Sequence, residues 1–268
     1  MNQLALSDQE FHQFKKMIYD IAGISMSSAK KPLVSGRLAK RVKHHGLGSY
    51  DDYFKLLMNN GSGGELQTAI DLLTTNETYF FREPKHFDFM RNKVLPEHKP
   101  GKMFRLWSAA SSSGEEPYSL AMLLADVLGN SPWEIVGSDI STRVLDRARS
   151  GLYPMERAED IPQSYLKRFC LKGVGSQDGY FLIDGDLRNR VRFEYVNLNE
   201  TLPKMGEFDV IFLRNVMIYF DMETKQQVVS RMMSLLAPGG YLVIGHSESL
   251  NGISDGLKVV MPSVYRKL

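Results

Sequence analysis

From about residue 100 onward, short apolar runs alternate with amphipathic stretches: MFRLWSA, SLAMLLADVLG, EIVGSDI, STRVLDRARSG, FDVIFLRN, ETKQQVVSRMMSLLAPGG and YLVIGHSE. The short runs suit strands, and the longer stretches repeat apolar residues at helical spacing. Strand and helix in this rhythm make βαβ units, which assemble into an α/β fold with a mainly parallel sheet and helices on both faces. Such a sheet binds ligands outside the carboxyl ends of its strands.

The first 75 residues have a different pattern. They show no strand-like alternation, but helical repeats at Phe11, Phe14, Ile18 and Ile21, then Val34, Leu38 and Val42, then Tyr53, Leu56 and Leu57. Gly23, Gly46, Gly48 and the cluster NNGSGGE (Asn59 to Glu65) supply turns. The expected organisation is an N-terminal all-α domain over residues 1–75, a linker over 76–100 and the sheet domain over 101–268. A chain of 268 residues with 43% hydrophobic content can bury more than one small core. Its net charge of +2 gives no global field for nucleic acid. Cys170, the single cysteine, excludes an internal disulfide and a cysteine-based metal cluster; no metal is expected. The stretch MNQLALSDQEFHQFKK lacks the apolar core of a signal peptide, and no apolar run reaches the ~20 residues needed to span a bilayer. A cytoplasmic, monomeric protein is the expectation.

The run MFRLW stops in seven small residues, Ser108 to Gly114, followed by Glu115, Glu116 and Pro117, with an apolar helix expected from Ser119. Small side chains after the first strand let the chain turn tightly and let a ligand approach the backbone. The G-x-G-x-x-G fingerprint is absent, and a glutamate pair at a helix entrance would repel a pyrophosphate. A cationic nucleoside ligand fits better, and S-adenosylmethionine (AdoMet) has the required adenosine, sulfonium and ammonium. Glu115 and Glu116 serve equally well as complements to the helix dipole. Asp139 ends EIVGSDI at about the spacing at which nucleoside-binding folds place a carboxylate on ribose hydroxyls. A helix cap is the competing role, for which Ser141 is also available.

With these pieces placed, TNETYFFREPKHF (Thr75 to Phe87), WSAASSSGEEPYSLAM, GSDIS, FLRNVMIYF and LLAPGGYLVIGHSES resemble, in order and over nearly the whole chain, the chemotaxis receptor glutamate methyltransferases, the CheR family. The resemblance implies a class I AdoMet-dependent methyltransferase domain, Rossmann-like and doubly wound. An N-terminal receptor-recognition domain packs over it, with AdoMet between the two. It implies cofactor contacts from Asn76, Thr78, Arg82, Glu116, Asp139, Asn197, Leu198, Arg214 and Asn215. Arg82 and Tyr219 are expected to hold the acceptor carboxylate, although for Tyr219 simple packing serves equally well. The segment from about Leu166 to Phe193 resembles the family's small antiparallel β-subdomain, with Gly173, Gly175 and Gly179 suited to hairpins. In some members that subdomain grips a receptor C-terminal peptide. Here Leu182 and Asp184 stand where tethering members carry basic residues, which leaves tethering open.

The resemblance further implies glutamyl methyl ester formation on chemoreceptor helices as an adaptation step in bacterial chemotaxis. A related signalling pathway and a non-catalytic AdoMet-binding, receptor-docking module are the alternatives. The chain has Arg214-Asn215-Val216-Met217 where N-methyltransferases of amide or nucleic acid carry an Asn/Asp-Pro-Pro-aromatic turn, and GHSES lacks the last glycine of a hydrolase elbow. In KKPLVSGRLAKRVKHHGL (Lys30 to Leu47), Val34, Leu38 and Val42 share one helix face while Arg37, Lys40, Arg41 and Lys43 spread around the other. By family analogy these four steer and orient an acidic receptor; a solvated face or a phosphate-binding patch would have the same composition.

Overall fold

The computed structural model describes residues 4–59 and 63–268. The centre of the NNGSGGE turn lies outside the described residues. Four helices form the N-terminal unit: α1 (Asp8–Ala22), α2 (Lys31–His44), α3 (Tyr50–Met58) and α4 (Glu65–Leu73). Ser7 and Glu10 close a reciprocal capping box on α1, Ser49 caps α3, and Pro32 sits in the first turn of α2, where no amide donor is needed. Phe14, Ile18, Val34, Leu38, Val42 and Tyr53 meet in a core belonging to this unit. Gly23 ends α1 at φ 70°, and a Cβ there would come within 2.5 Å of Thr224 Cγ2. Glycine therefore permits both the turn and the close approach to the second unit.

The linker carries α5 (Lys85–Phe89) and leads into β1 (Phe104–Ser108), α6 (Glu115–Leu128), β2 (Trp133–Asp139) and α7 (Thr142–Ser150). There follow β3 (Leu152–Pro154), α8 (Gln163–Phe169), β4 (Cys170–Lys172), β5 (Tyr180–Ile183), α9 (Gly185–Arg188) and β6 (Val191–Tyr195). The chain closes with β7 (Phe208–Leu213), α10 (Met222–Leu235), β8 (Leu236–Ile244), β9 (Leu257–Met261) and β10 (Val264–Lys267). The large sheet has the order β6-β2-β1-β7-β8-β10-β9, parallel from β6 to β8 and antiparallel at β10 and β9. Leu106, Ile135, Val210 and Phe212 pack on one face, and Trp107, Val136, Ile211 and Leu213 on the other. This alternation buries both faces, as expected of a doubly wound sheet.

Three boundaries differ from the sequence expectation. Helix α6 starts at Glu115, not Ser119, because Gly114 at φ 97° makes the turn and the first helical turn tolerates Pro117, whose missing N–H would have no partner there. The antiparallel insertion begins at β3, not at Leu166, with order β3-β5-β4, whereas β6 belongs to the large sheet. Strand β8 begins at Leu236, so APGG lies within the strand and not at the end of α10, and the strand bulges there with Gly239 at φ 74°. No helix among the described residues is long and apolar enough to cross a membrane.

Candidate active site

Strand β1 has β2 on one side and β7 on the other, so the strand order reverses there and the loops at the carboxyl ends diverge. A cavity opens at that point. It is lined by Ala109, Ala110 and Ser112 after β1, Asp139 at the end of β2, Val196 to Leu198 after β6, and Arg214 to Val216 after β7. The helical unit and linker cover it with Ser25, Met26, Lys30, Leu33 and residues 74–78. Two main-chain contacts hold this cover: Ser25 N–H donates to the Tyr219 carbonyl at 2.8 Å, and Ile24 bridges Phe220.

The small-residue run after β1 makes two left-handed turns, at Ser112 (φ 48°) and Gly114 (φ 97°). A Cβ at position 114 would lie 2.8 Å from Tyr153 Oη and 2.9 Å from Ala148 Cβ. Glycine thus lets α6 seat against α7 and β3, while Ser112 turns its N–H toward Asp139. Each Asp139 oxygen accepts one backbone N–H, from Ser112 and from Ser141, both at 2.9 Å. Burial pushes the Asp139 carboxyl up to about 6, outweighing the amides that pull it down. A carboxylate has about four acceptor sites, so capacity remains on a group that lines the cavity. That spare capacity fits two adjacent sugar hydroxyls. The Ser141 hydroxyl is buried without a partner and caps nothing.

Arg214, with its side chain 1% exposed, organises the opposite wall. It donates to Glu116 at 2.8 Å, to Glu83 at 3.3 Å and to the Arg82 carbonyl at 2.5 Å. Glu116 also accepts from the Ser108 hydroxyl at 2.7 Å. Phe81 and Glu83, on either side of Arg82, adopt left-handed φ values of 53° and 58°, and Asn215 has 57°. Non-glycine residues in this region persist only where their surroundings enforce it, and here the Arg214 fork and the Glu83 carboxylate do so. Arg82 itself donates to the Glu77 carbonyl and lies 5.5 Å over the Tyr79 ring, with no carboxylate partner among the described residues. The Tyr219 hydroxyl, on the same cavity, has no hydrogen-bond partner among the described residues.

All ten residues expected at the cofactor or acceptor line this one cavity, but they divide by what their polar groups already do. Asn197 donates to the Ile21 carbonyl and Glu200 and accepts from Asn199 N–H, so its amide ties the β6 loop to α1. Arg214 and Asn215 likewise hold Glu83. Asn76 supplies its carbonyl to Ser112 and its side-chain oxygen to Thr74. Leu198 contributes apolar surface. Glu115 is buried outside the cavity wall, where it accepts from Ser113 and lies 3.7 Å from Arg157.

The basic face of α2 also divides. Arg41 grips the buried Glu65 carboxylate with two nitrogens, at 2.8 and 2.5 Å, and Arg37 donates to the Leu73 and Thr74 carbonyls at 3.0 Å. Of these four cations only Lys40 and Lys43 are exposed. Two acids escaped the sequence reading. Glu248 of GHSES accepts N–H groups from Gly245, Asn215 and Ile218, anchoring the loop after β7, and Glu83 shares Arg214. Glu83, His86 and His246 place ligand-type atoms within 4.8 Å of one another, but Glu83 is occupied by Arg214 and Asn215. Burial and the nearby Arg214 hold the His86 imidazole down to about 3, so it is neutral packing.

Both units of the chain match known protein families. Residues 76–265 match the family of the CheR methyltransferase SAM-binding domain, and residues 9–74 match the CheR methyltransferase all-alpha domain. The chain belongs to the CheR methyltransferase family. It is 41% identical over 268 residues to the chemotaxis protein methyltransferase of Escherichia coli (strain K12), covering 98% of this chain and 92% of that protein. It is 43% identical over 263 residues to chemotaxis protein methyltransferase 2 of Pseudomonas aeruginosa, covering 96% and 92%. As a CheR family member with a class I fold, it is a methyltransferase whose cofactor is AdoMet.

Proposed function

We propose that this enzyme methylates glutamate side chains of chemoreceptors, producing glutamyl methyl esters as part of chemotactic adaptation. The observation that carries the reading is the pairing, on one cavity, of a guanidinium without a carboxylate partner (Arg82) and a phenol without a hydrogen-bond partner (Tyr219) among the described residues. AdoMet, when bound, supplies an electrophilic methyl carbon on a sulfonium. Asp139 would accept the ribose hydroxyls, Leu198 and Val196 would pack on the adenine, and Asn76 and Thr78 would line the cofactor from the linker. The acceptor needs little activation, since a glutamate side chain with an ordinary pKa of about 4.3 is already ionised at neutral pH. No proton has to move, which agrees with a site that contains no base paired to a nucleophile. Arg82 orients the carboxylate and Tyr219 donates its hydroxyl to it, while the cover formed by α1, α2 and residues 74–78 excludes water. Orientation of this kind is worth roughly 7–11 kcal/mol of the barrier. The helical unit would recognise the receptor, with Lys40 and Lys43 presenting the free positive charge. Incubation with methyl-labelled AdoMet and receptor-containing membranes tests the assignment: the label is expected in receptor and released as methanol by base. Label that survives base would instead indicate N-methylation.

A further inference from the structure

A second cleft adjoins the cavity, sharing Thr74 and Asn76 with it, and four guanidiniums line it: Arg37, Arg143, Arg147 and Arg157. No acid belongs to its lining. Arg143 and Arg147 are four residues apart on α7, so they stack like charges on one helix face. Arg37 reaches the cleft from α2, and the charge on Arg143 joins burial in lowering its proton affinity. Protein partners satisfy little of this charge. Arg37 and Arg143 donate to carbonyls, Arg157 donates to the Thr78 carbonyl, and Arg147 makes no side-chain hydrogen bond among the described residues, its charge acting on Glu115. Of the acids around it, Glu115 lies 3.7 Å from Arg157, and the Asp71 carboxylate accepts from Thr142, Arg143 N–H and Gln67. Four guanidiniums in a lining without an acid make the cleft cationic.

We propose that this cleft binds an oxyanion of the phosphate class. Planar guanidinium forks match the oxygens of phosphate, and a multiply charged oxyanion can meet several of them at once where one carboxylate would not. Thr74, Ser113 and Asn76 add neutral hydrogen-bonding groups. Because Arg37 comes from the helical unit and the other three from the sheet unit, the anion joins the two across the cofactor's cover. Binding there is therefore coupled to binding of AdoMet, and the coupling is reciprocal.

Calorimetric titration of the full chain at low salt tests this, using inorganic phosphate, tripolyphosphate and phenyl phosphate, each with and without AdoMet. Saturable binding of phosphate, tighter for tripolyphosphate and weakening as salt rises, is expected. The exposed double variant Arg143→Glu/Arg147→Glu should bind roughly tenfold more weakly, and Arg147→Ala, which breaks no contact, should weaken binding in the same direction. Phosphate should shift the AdoMet affinity in wild type and not in the double variant. Equal affinities for inorganic and phenyl phosphate assign recognition to a free anion, and a preference for phenyl phosphate assigns it to a phosphate ester. Absence of binding to wild type at low salt, or equal binding by wild type and variant, overturns the proposal. Neither result bears on glutamate methylation, which the base-release assay reads separately.

Discussion

Glu65 in the helical unit and Asp139 at the end of β2 are both buried carboxylates, and they are held in opposite ways. Glu65 faces cations and donors. Burial alone would raise its pKa, but Arg41, Tyr53 and His45 outweigh that and hold it down to about 2. Asp139 meets backbone amides and no cation, and stays raised to about 6. Glu115 and Glu248, also in the sheet unit, are raised by burial too. The difference separates a charge used to lock helices together from one kept partly unsatisfied where a ligand enters. Arg41 leans toward the first kind of use, and Arg82, Lys40 and Lys43 toward the second.

The largest expected effect comes from breaking the satisfied pair. Arg41→Leu leaves Glu65 buried against Tyr53 and His45 alone and should cost about 3 kcal/mol of stability, read from the denaturant midpoint. An unchanged midpoint would show that Glu65 does not depend on Arg41. Next, Asp139→Ala should weaken AdoMet binding by about 1.5–3 kcal/mol, roughly 10- to 100-fold, while stability holds or rises because a desolvated charge is removed. Unaltered affinity in a folded variant would take Asp139 out of the site.

The two carboxylates should also respond to pH in separate windows. Cofactor affinity should fall by up to about tenfold per unit below pH 6, as Asp139 gains the proton that blocks acceptance of ribose hydroxyls. Protonation of Asp139 itself favours the fold, since its folded pKa lies above the ordinary value of 3.8. The contribution of Glu65 to stability is present above pH 4.5 and is lost as pH falls toward 2. AdoMet titrations across pH 4–8 and thermal melts across pH 2–8 would separate these, and coincident transitions would refute the distinction.

Arg82→Lys keeps charge but loses the planar fork, so turnover should drop roughly tenfold with AdoMet affinity near wild type. Full methylation by this variant would reassign Arg82 to packing. The smallest effect belongs to Lys40→Glu/Lys43→Glu. Receptor methylation should slow a few-fold at low salt, in line with exposed pairs worth about 0.2–1 kcal/mol, and AdoMet binding should not change. Reversing Arg37 and Arg41 instead would confound steering with loss of the contacts that hold α4. A double lysine variant that methylates receptor at the wild-type rate would make the face a solvated one.

The alternation of short apolar runs with amphipathic stretches determined the layered α/β unit, because burial of both sheet faces demands that pattern. The run Ser108 to Gly114 likewise announced a close approach, since small side chains and left-handed turns are local requirements. Asp139 could be placed from its position at a strand end, and Glu116 from the helix entrance. The tertiary structure decided what those residues are free to do. No local pattern tells that Arg41 is consumed by Glu65, 24 residues away, or that Asn197 is spent on the Ile21 carbonyl. Nor could the sequence show that Arg214 closes on Glu116 and the Arg82 carbonyl, 98 and 132 residues distant. The insertion was misplaced for a related reason: β3 and β4 are three residues each, too short for a period, and they become strands only by pairing with β5. Residue types and periods fix which chemistry the chain carries, but the desolvation and partner of each charge arise only when distant segments meet.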